Sequence, residues 1–360
     1  MGGFIPTGKE PAPIAMARDR QIRAMLAVCT AILATTALYF AGSVFAPITF
    51  AVFILAIVWP LQKVLQQWMP KGIALFITLA LTAIVVVVFA SIVVWALSAI
   101  AVWMQNNLQR FQTLYVQMTD WFEEHGIFVA GVIAERFNAV WLLRMFQQVA
   151  IRLNQLAGFG VLVFIFLMLE LMEMDQIRRR IASLDQANGP ALIEAAAEIA
   201  AKFRRYMLVR TQLSVLTGLL VWAFALLTGI EPAAGWGMLA FALNYIPFIG
   251  PFVATILPAL FAMAQLDTWQ AVVLVVVGLT LIQFLIGNYL EPVVAGAALA
   301  ISPLAVVFAV FFWGFLWGIT GAFIGVPIMI SVISLCARYP STRWFATLLS
   351  GTGTETASGK

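Results

Sequence analysis

Glu291 is the strongest candidate for ion-binding chemistry in this sequence, because it is the only acidic residue between Asp267 and Glu355. It follows a long apolar stretch, and a carboxylate at the centre of a bilayer costs about 2.5–3.5 kcal/mol on the translocon insertion scale. An acid retained there is by default functional, and this one would carry a proton or a sodium ion by charging and neutralising. At the membrane interface it would be an ordinary solvated carboxylate, and both positions stay open.

Helix-breaking residues surround this acid and also occur in an earlier segment of the same apolar region. The segments 244–251 and 288–303 both begin with Asn-Tyr and both contain proline and glycine. Each proline frees a carbonyl that needs another partner in hydrocarbon, and broken backbone of this kind is typical of transporter substrate sites. A kinked helix satisfied by its neighbours is the structural alternative. The Asn-Tyr pairs would be the polar contacts of a solute. The predicted substrate and ion pathway consists of Asn244, Tyr245, Pro247, Gly250, Pro251, Asn288, Tyr289, Glu291, Pro292 and Ser302.

A stripe of glycines occurs in the last apolar segment. Its spacings of 4, 3 and 4 residues predict that it lies on one face of a single helix. Small residues at such spacing let two helices approach closely, so we predict helix packing, with a smooth sliding surface as the functional alternative. The stripe consists of Gly314, Gly318, Gly321 and Gly325.

The composition identifies the class of protein that holds these segments. Of the 360 residues, 63% are apolar and 10% are charged, against about 45–50% and about 25% in soluble domains. The mean hydropathy of +1.00 leaves too little polar surface for a water-exposed globule, so we predict an all-α polytopic membrane protein. The small net charge of +4 does not indicate a nucleic-acid partner. The common hydrolase, P-loop and Rossmann motifs do not occur, so we predict no enzyme, catalytic residue, metal or cofactor.

The apolar stretches predict about eight transmembrane helices, since about 20 apolar residues are needed for one crossing. Prolines and glycines predict that some helices of the C-terminal half are broken or re-entrant. Most Lys and Arg residues fall on one side in this arrangement, which places both termini in the cytoplasm. The predicted spans are 24–41, 45–61, 72–103, 157–172, 211–229, 235–264, 270–290 and 303–337.

A polar segment between the third and fourth spans carries two narrow apolar seams, at 108–122 and 142–156, spaced as in coiled coils. They predict an extracytoplasmic amphipathic helical hairpin whose seams pair with each other or with neighbouring subunits. Ordinary amphipathic helices are the alternative. The predicted segments are the cytoplasmic tail 1–23, three spans within 24–103, the extracytoplasmic helices 104–156, the fourth span 157–172, the basic cytoplasmic helical loop 173–210, the transport core 211–337 and the cytoplasmic tail 338–360.

The motifs of the C-terminal half resemble those of the autoinducer-2 exporter (AI-2E) family. The resemblance implies a multi-pass permease of the bacterial inner membrane that exports autoinducer-2 or exchanges sodium for protons. It also implies a homo-oligomer, with a pentamer as the expected assembly. The resemblance rests on FALNYIPFIGP at 241–251, Glu291-Pro292, Gly296, Ser302-Pro303, the glycines from Gly314 to Gly325, and Pro327.

One departure from the family concerns charge. Many members carry a basic residue where this chain has Ala297, and the chain has no Lys or Arg from 211 to 337. An anionic solute would therefore be held by backbone amides or helix N-termini. Autoinducer-2, a small polyhydroxylated ring, could instead be bound through neutral hydrogen bonds.

Three functions are distinguished by these observations, and an oligomeric channel is a fourth that the sequence also allows. The leading hypothesis is an ion-coupled secondary transporter in the lipid bilayer, whose two broken segments enclose a small polar solute while Glu291 carries the coupling proton or sodium ion. The second is a sodium(lithium)–proton antiporter on the same scaffold. The third is a non-transporting membrane scaffold whose seams bind partners. The sequence leaves open the substrate, the direction of transport, the coupling ion, the subunit number, and whether 244–251 and 288–303 re-enter or cross.

Overall fold

The computed structural model describes residues 13–125, 139–184, 188–295 and 301–351, and this part of the chain is almost entirely helical. The predicted all-α fold is confirmed. The helices are α1 (Pro13–Phe40), α2 (Gly42–Trp68), α3 (Lys71–Asn106), α4 (Leu108–Glu124), α5 (Ala139–Leu184), α6 (Asn188–Thr228), α7 (Ala233–Leu243), α8 (Ile249–Gln265), α9 (Trp269–Phe284), a π-helical turn (Leu285–Leu290), α10 (Glu291–Ala295), α11 (Pro303–Arg338) and α12 (Arg343–Leu349).

Within the described ranges, six helices are long and apolar enough to cross a bilayer. The predicted fourth span, 157–172, lies inside α5, which continues without interruption into the basic loop. The predicted fifth span, 211–229, likewise begins inside a longer helix. It forms the last part of α6, and the first part of α6 belongs to the basic loop 173–210. The six are Gln21–Phe40, Gly42–Trp68, Lys71–Asn106, Gly189–Thr228, Trp269–Val294 and Pro303–Arg338.

The structure corrects the single span predicted at 235–264, because the chain reverses within it. The rings of Trp236 in α7 and Phe261 in α8 are 4.8 Å apart, and the backbone N–H of Glu231 donates to Gln265 Oε1 at 2.8 Å. Residues far apart in sequence thus lie side by side in two antiparallel helices, which we call hairpin A, with its tip at 244–248. Gly250 permits the reversal, since a Cβ there would collide with the carbonyl of Leu243.

The glycine stripe is also corrected, because α11 is sharply folded rather than straight. Gly318 has φ 65° and Trp317 has non-helical dihedrals, and a Cβ on Gly325 would come within 2.7 Å of the Ala309 carbonyl. In a straight helix those two residues would be about 24 Å apart. The arms of α11 therefore pack against each other as hairpin B, with its tip at 317–318. The stripe is divided between the two arms and the tip.

The two hairpins enter the bundle from opposite ends. At the base of hairpin A, Glu231 Oε2 accepts a hydrogen bond of 2.9 Å from the indole of Trp103 at the end of α3. At the base of hairpin B, Arg338 binds Glu194 in the first turns of α6 at 3.0 Å. Since α6 runs from one base to the other, we call these the tryptophan end and the basic end of the molecule.

The predicted amphipathic hairpin of 104–156 is described only in part. Its first arm is α4, and Phe111 packs against Phe261 of hairpin A at 5.1 Å, with Leu108 in the same hydrophobic cluster. This end of the first seam therefore covers hairpin A. Residues 126–138 and the side chains of 139–157 lie outside the described part, so the pairing of the two seams stays a prediction.

Candidate functional site

A row of polar side chains lies on α6 where the tip of hairpin A reaches it. Tyr206, Arg210 and Ser214 repeat every four residues, which places them on one helix face, and Thr211 lies beside them. Arg210 is only 6% exposed and Ser214 is fully buried. Buried polar groups are costly unless they are paired, so this polar face of α6 requires partners from other elements.

Arg210 finds its main partner in Glu291. Its Nη1 lies 3.0 Å from Glu291 Oε2, and the two side chains are 7% and 33% exposed. Its Nε also donates to the Tyr206 hydroxyl at 3.4 Å, and the guanidinium lies 5.7 Å from the centre of that ring, within cation–π range. The acid that the sequence presented as isolated is thus paired with a cation from the basic loop.

Glu291 is placed by the π-helical turn that precedes it. The backbone N–H of Glu291 donates to the carbonyl of Ile286, five residues earlier, and Ile286 is buried against Val209 and Leu213 of α6. A π-helical turn adds a residue per turn relative to an α-helix and therefore changes which side chains face a neighbour. α9, the π-helical turn and α10 follow one another as a continuous helical rod, which we call the α9–α10 rod. The π-helical turn fixes this rod against α6 at the level of Arg210.

The tip of hairpin A supplies partners for the remainder of the polar face. Asn244 Nδ2 donates to Ser214 Oγ at 3.2 Å, and the Tyr245 hydroxyl donates to Thr211 Oγ1 at 3.0 Å. Both residues are buried, with exposures of 4% and 8%. The structure therefore brings Asn244, Tyr245 and Glu291, which the sequence selected, to one face of one helix.

Hairpin B completes the site from the other side. The ring of Tyr245 stacks on Phe323 at 5.6 Å, and Ile246 and Ile249 of hairpin A pack against an apolar cluster of hairpin B. Tyr206 also contacts that cluster. The cluster consists of Val310, Ala322, Val326 and Ile330. Segments that enter from opposite ends thus meet beside the ion pair.

The second Asn-Tyr pair is not part of this arrangement. Tyr289 is 71% exposed, and the exposed Asn288 donates to the carbonyl of Phe284 in its own helix at 3.3 Å. Ser302 caps α11 by accepting a hydrogen bond from Ala305 N at 3.2 Å. Pro247, Gly250 and Pro251 shape the tip of hairpin A and the start of α8, and Pro292 follows Glu291 in α10. Ala297 lies outside the described residues.

Sequence reasoning missed four residues of the site, namely the polar face of α6. The available signal was the four-residue spacing of Tyr206, Arg210 and Ser214 at the point where the basic loop becomes an apolar run. Arg210 lies about 27 Å from the end of α6 at Thr228, close to the thickness of the hydrocarbon core, which is about 30 Å. The ion pair is therefore near the basic-end edge of that layer. In the described residues no group of three or more His, Cys, Asp or Glu could hold a metal ion.

The chain is similar in sequence to known transport proteins. A family model described as AI-2E family transporter matches residues 28–341. The AI-2 transport protein TqsA of Escherichia coli (strain K12) is 26% identical over 320 residues, which cover 88% of this chain and 92% of that protein. A putative transport protein of Borreliella burgdorferi is 31% identical over 204 residues, 55% of this chain and 56% of that protein. The putative transport protein YrrI of Bacillus subtilis (strain 168) is 32% identical over 124 residues, 34% of this chain and 33% of that protein.

Proposed function

The chain belongs to the AI-2E transporter family, and we propose that it is an ion-coupled secondary transporter of a small polar solute in the bacterial inner membrane. Autoinducer-2 is the first candidate solute, because the similar protein TqsA is named for AI-2 transport. One observation carries the proposal: the tip of hairpin A, hairpin B and the Arg210–Glu291 pair converge on the polar face of α6. Irregular backbone at membrane depth is tolerated where it is buried or lines a substrate site.

In this mechanism Glu291 carries the coupling ion and Arg210 senses its charge. A proton or sodium ion on Glu291 neutralises the carboxylate, which weakens the attraction across the 3.0 Å contact with Arg210. The α9–α10 rod is then free to shift relative to α6. Asn244 and Tyr245 exchange their hydrogen bonds with Ser214 and Thr211 for hydrogen bonds with the solute.

The two hairpins enter from opposite ends and would act as the two gates of an alternating-access mechanism. Hairpin A closes the path from the tryptophan end and hairpin B closes it from the basic end, so that movement of one at a time would open one side. Positive charge is typical of cytoplasmic loops, so the basic end and both termini are assigned to the cytoplasm. No described residue in the apolar span of α1 is buried in the single chain, so most of its surface can contact lipid or neighbouring subunits of a homo-oligomer, with a pentamer as the proposed assembly.

Flux measurements in proteoliposomes test the proposal. Purified native protein, Glu291→Gln and Glu194→Gln are given an imposed proton gradient, and labelled autoinducer-2 and sodium are followed in parallel. Glu194→Gln is the matched control, because Glu194 also pairs with an arginine at 3.0 Å but is 77% exposed and distant from the hairpin tips. We expect gradient-driven solute flux in the native protein and the control, and its loss in Glu291→Gln.

The other outcomes separate the alternatives. Sodium flux without solute flux would replace the proposal by sodium–proton antiport at the same carboxylate. Unchanged gradient dependence in Glu291→Gln would remove Glu291 from the coupling mechanism. Absence of all flux, together with a correctly folded Pro247→Ala variant that keeps the cellular function, would favour a scaffold.

A further inference from the structure

Glu170 is a second intramembrane acid that the mechanism above does not use. It lies in α5 within the predicted span 157–172, between the apolar residues Leu169 and Leu171. Its Oε2 is buried and has no hydrogen-bond partner among the described residues. Since nearly all buried polar atoms in proteins are hydrogen-bonded, an orphaned carboxyl oxygen in an apolar bundle requires an explanation.

The residues that pack around this part of α5 are mostly apolar, although α2 and α3 also bury Gln62 and Thr78, which are hydrogen-bonded to each other. The neighbouring positions Leu167, Leu171 and Met174 of α5 pack against α2 and α3, and the buried core of this three-helix bundle also contains Ala51 and Leu55 of α2. Glu170 is half-buried, and an ionised carboxylate whose Oε2 is shielded in this way loses part of its hydration without a hydrogen bond in return, whereas a protonated carboxyl group is neutral and less costly to bury.

Four cations on the helices packed around Glu170 are engaged elsewhere. Lys63 is the only charged residue of α2 and lies 2.6 Å from Asp175, and Lys71, the only one of α3, lies 3.8 Å from the same carboxylate. In the nearby part of α6, Lys202 pairs with Glu198 at 2.8 Å, and Arg204 donates to the carbonyl of Ala56 at 2.8 Å. None of these four cations pairs with Glu170, and within the described residues no Lys or Arg nitrogen lies within 4.0 Å of its carboxylate.

We propose that Glu170 is a proton-binding site, protonated in this conformation, and that it releases and regains its proton during the transport cycle. The O–H bond of the carboxyl group breaks, the proton passes to water at the basic end, and the resulting carboxylate later takes a proton back. Asp175 marks the route, because it lies about 7.5 Å further along α5 and is in contact with solvent. This inference rests on the proposed ion-coupled transport, for which it supplies a second titrating group.

Aromatic contacts connect the bundle of α2, α3 and α5 to the site. Phe50 of α2 packs against this bundle and also stacks on Phe323 of hairpin B at 5.7 Å. Phe323 in turn stacks on Tyr245 at the tip of hairpin A. Two aromatic contacts therefore join Phe50 of this bundle to Tyr245, and a change of charge at Glu170 would reach the site by altering the packing of α2 against α5.

Two measurements on the full-length protein test the inference. Infrared titration in nanodiscs follows the carbonyl stretch of protonated carboxyl groups in the native protein, Glu170→Gln and the control Glu173→Gln, whose acid is exposed on the same helix. We expect a protonated-carboxyl band at neutral pH that is lost in Glu170→Gln and kept in Glu173→Gln. A band that persists in Glu170→Gln would overturn the inference.

Proteoliposome flux as a function of pH then tests the role in transport. Gln imitates the neutral carboxyl group in shape, so Glu170→Gln should fold normally but lose the pH dependence of flux, while Glu170→Asp retains it. A native pH profile in Glu170→Gln would overturn the carrier role even if the infrared band is present. Loss of coupling in Glu291→Gln with a native profile in Glu170→Gln would leave the proposed function standing without this inference. If the native protein shows no gradient-driven flux, the proposed function and the carrier role both fail, whatever the infrared result.

Discussion

Nη1 of Arg210 and Oε2 of Glu291 are 3.0 Å apart, although the residues are separated by 81 positions and by the whole of hairpin A. The contact fixes the α9–α10 rod against the same helix face that binds Asn244 and Tyr245. A buried pair of this kind is weak as a source of stability, because the desolvation of both charges offsets their attraction. Its value is that it is sensitive to the charge of one partner, which is what coupling to an ion requires.

Removal of only one partner of this ion pair should lower the stability of the protein more than removal of both partners. Glu291→Ala leaves Arg210 buried without its counter-ion, and breaking a buried pair typically costs about 3–5 kcal/mol. Since Glu291 is one-third exposed, we expect a loss at or below the lower limit of that range. The double variant Arg210→Met/Glu291→Ala removes the unpaired charge and should recover most of the loss. Thermal unfolding of the native protein, Glu291→Ala, Arg210→Met and the double variant in detergent gives the interaction energy, and strictly additive losses would contradict the pairing.

Substitution by alanine should have different effects at Gly250 in hairpin A and at Gly318 in hairpin B. A Cβ on Gly250 collides with backbone of α7, so Gly250→Ala must deform the tip and separate Tyr245 from Thr211. Gly318 has open space around it, but its φ of 65° and ψ of −144° lie in a region that is disfavoured for residues with a Cβ, so Gly318→Ala should cost about 1–3 kcal/mol of backbone strain without a steric collision. We expect flux to fall sharply in the first variant and mildly in the second. Gly72→Ala is the control, because nothing lies within 4 Å of its Cβ position, and equal losses in all three variants would refute the assignment.

The sequence predicted the positions of the chain breaks better than their geometry. Proline and glycine at 247–251 indicated a break, and one occurs there. Whether the chain then continues or reverses is decided by distant contacts, such as Trp236 with Phe261, which no local pattern contains. The glycine spacing of α11 fits one helix face equally well, and only the positive φ at Gly318 and the approach of Gly325 to Ala309 reveal two arms.

Arg210 illustrates why half of the site escaped prediction. A basic residue at the edge of an apolar run is normally a topological signal, and Arg210 has the sequence context of one. Its burial depends on Glu291, whose approach in turn depends on a π-helical turn, and neither is visible in the local composition. Asn288 and Tyr289 show the opposite case, since their likeness to Asn244-Tyr245 is real in the sequence but the same turn directs them outward.

Arg204 should stabilise α2 by donating a hydrogen bond to a backbone carbonyl that a proline leaves unpaired. Pro60 lacks an N–H group, so the carbonyl of Ala56, four residues earlier, loses its helical partner, and Arg204 Nη1 donates to that oxygen at 2.8 Å. Arg204→Ala should cost about 1–3 kcal/mol, because a partly buried carbonyl is left unpaired. The loss should be smaller when Pro60→Ala restores the backbone donor. Unfolding of the double-mutant cycle measures this, with the exposed Arg205→Ala as control. An equal loss in both backgrounds would show that the carbonyl is not the relevant partner.

The cluster around Asp175 should make stability depend on acidic pH. The hydrogen bond from Lys63 lowers the pKa of Asp175, an effect opposed by partial burial and reinforced by the charges of Lys63, Lys71 and Arg179. Because the folded pKa lies below the unfolded value of about 3.9, the contact stabilises the protein above that pH, and its contribution is lost as pH falls through the folded pKa. The Tm of the native protein should therefore exceed that of Asp175→Asn by a constant amount near neutrality, and the difference should shrink below about pH 4. Thermal unfolding across this range measures the effect, with Glu173→Gln as the control on the same helix. A difference that stays constant into strong acid would show that Asp175 acts through packing and not through its charge.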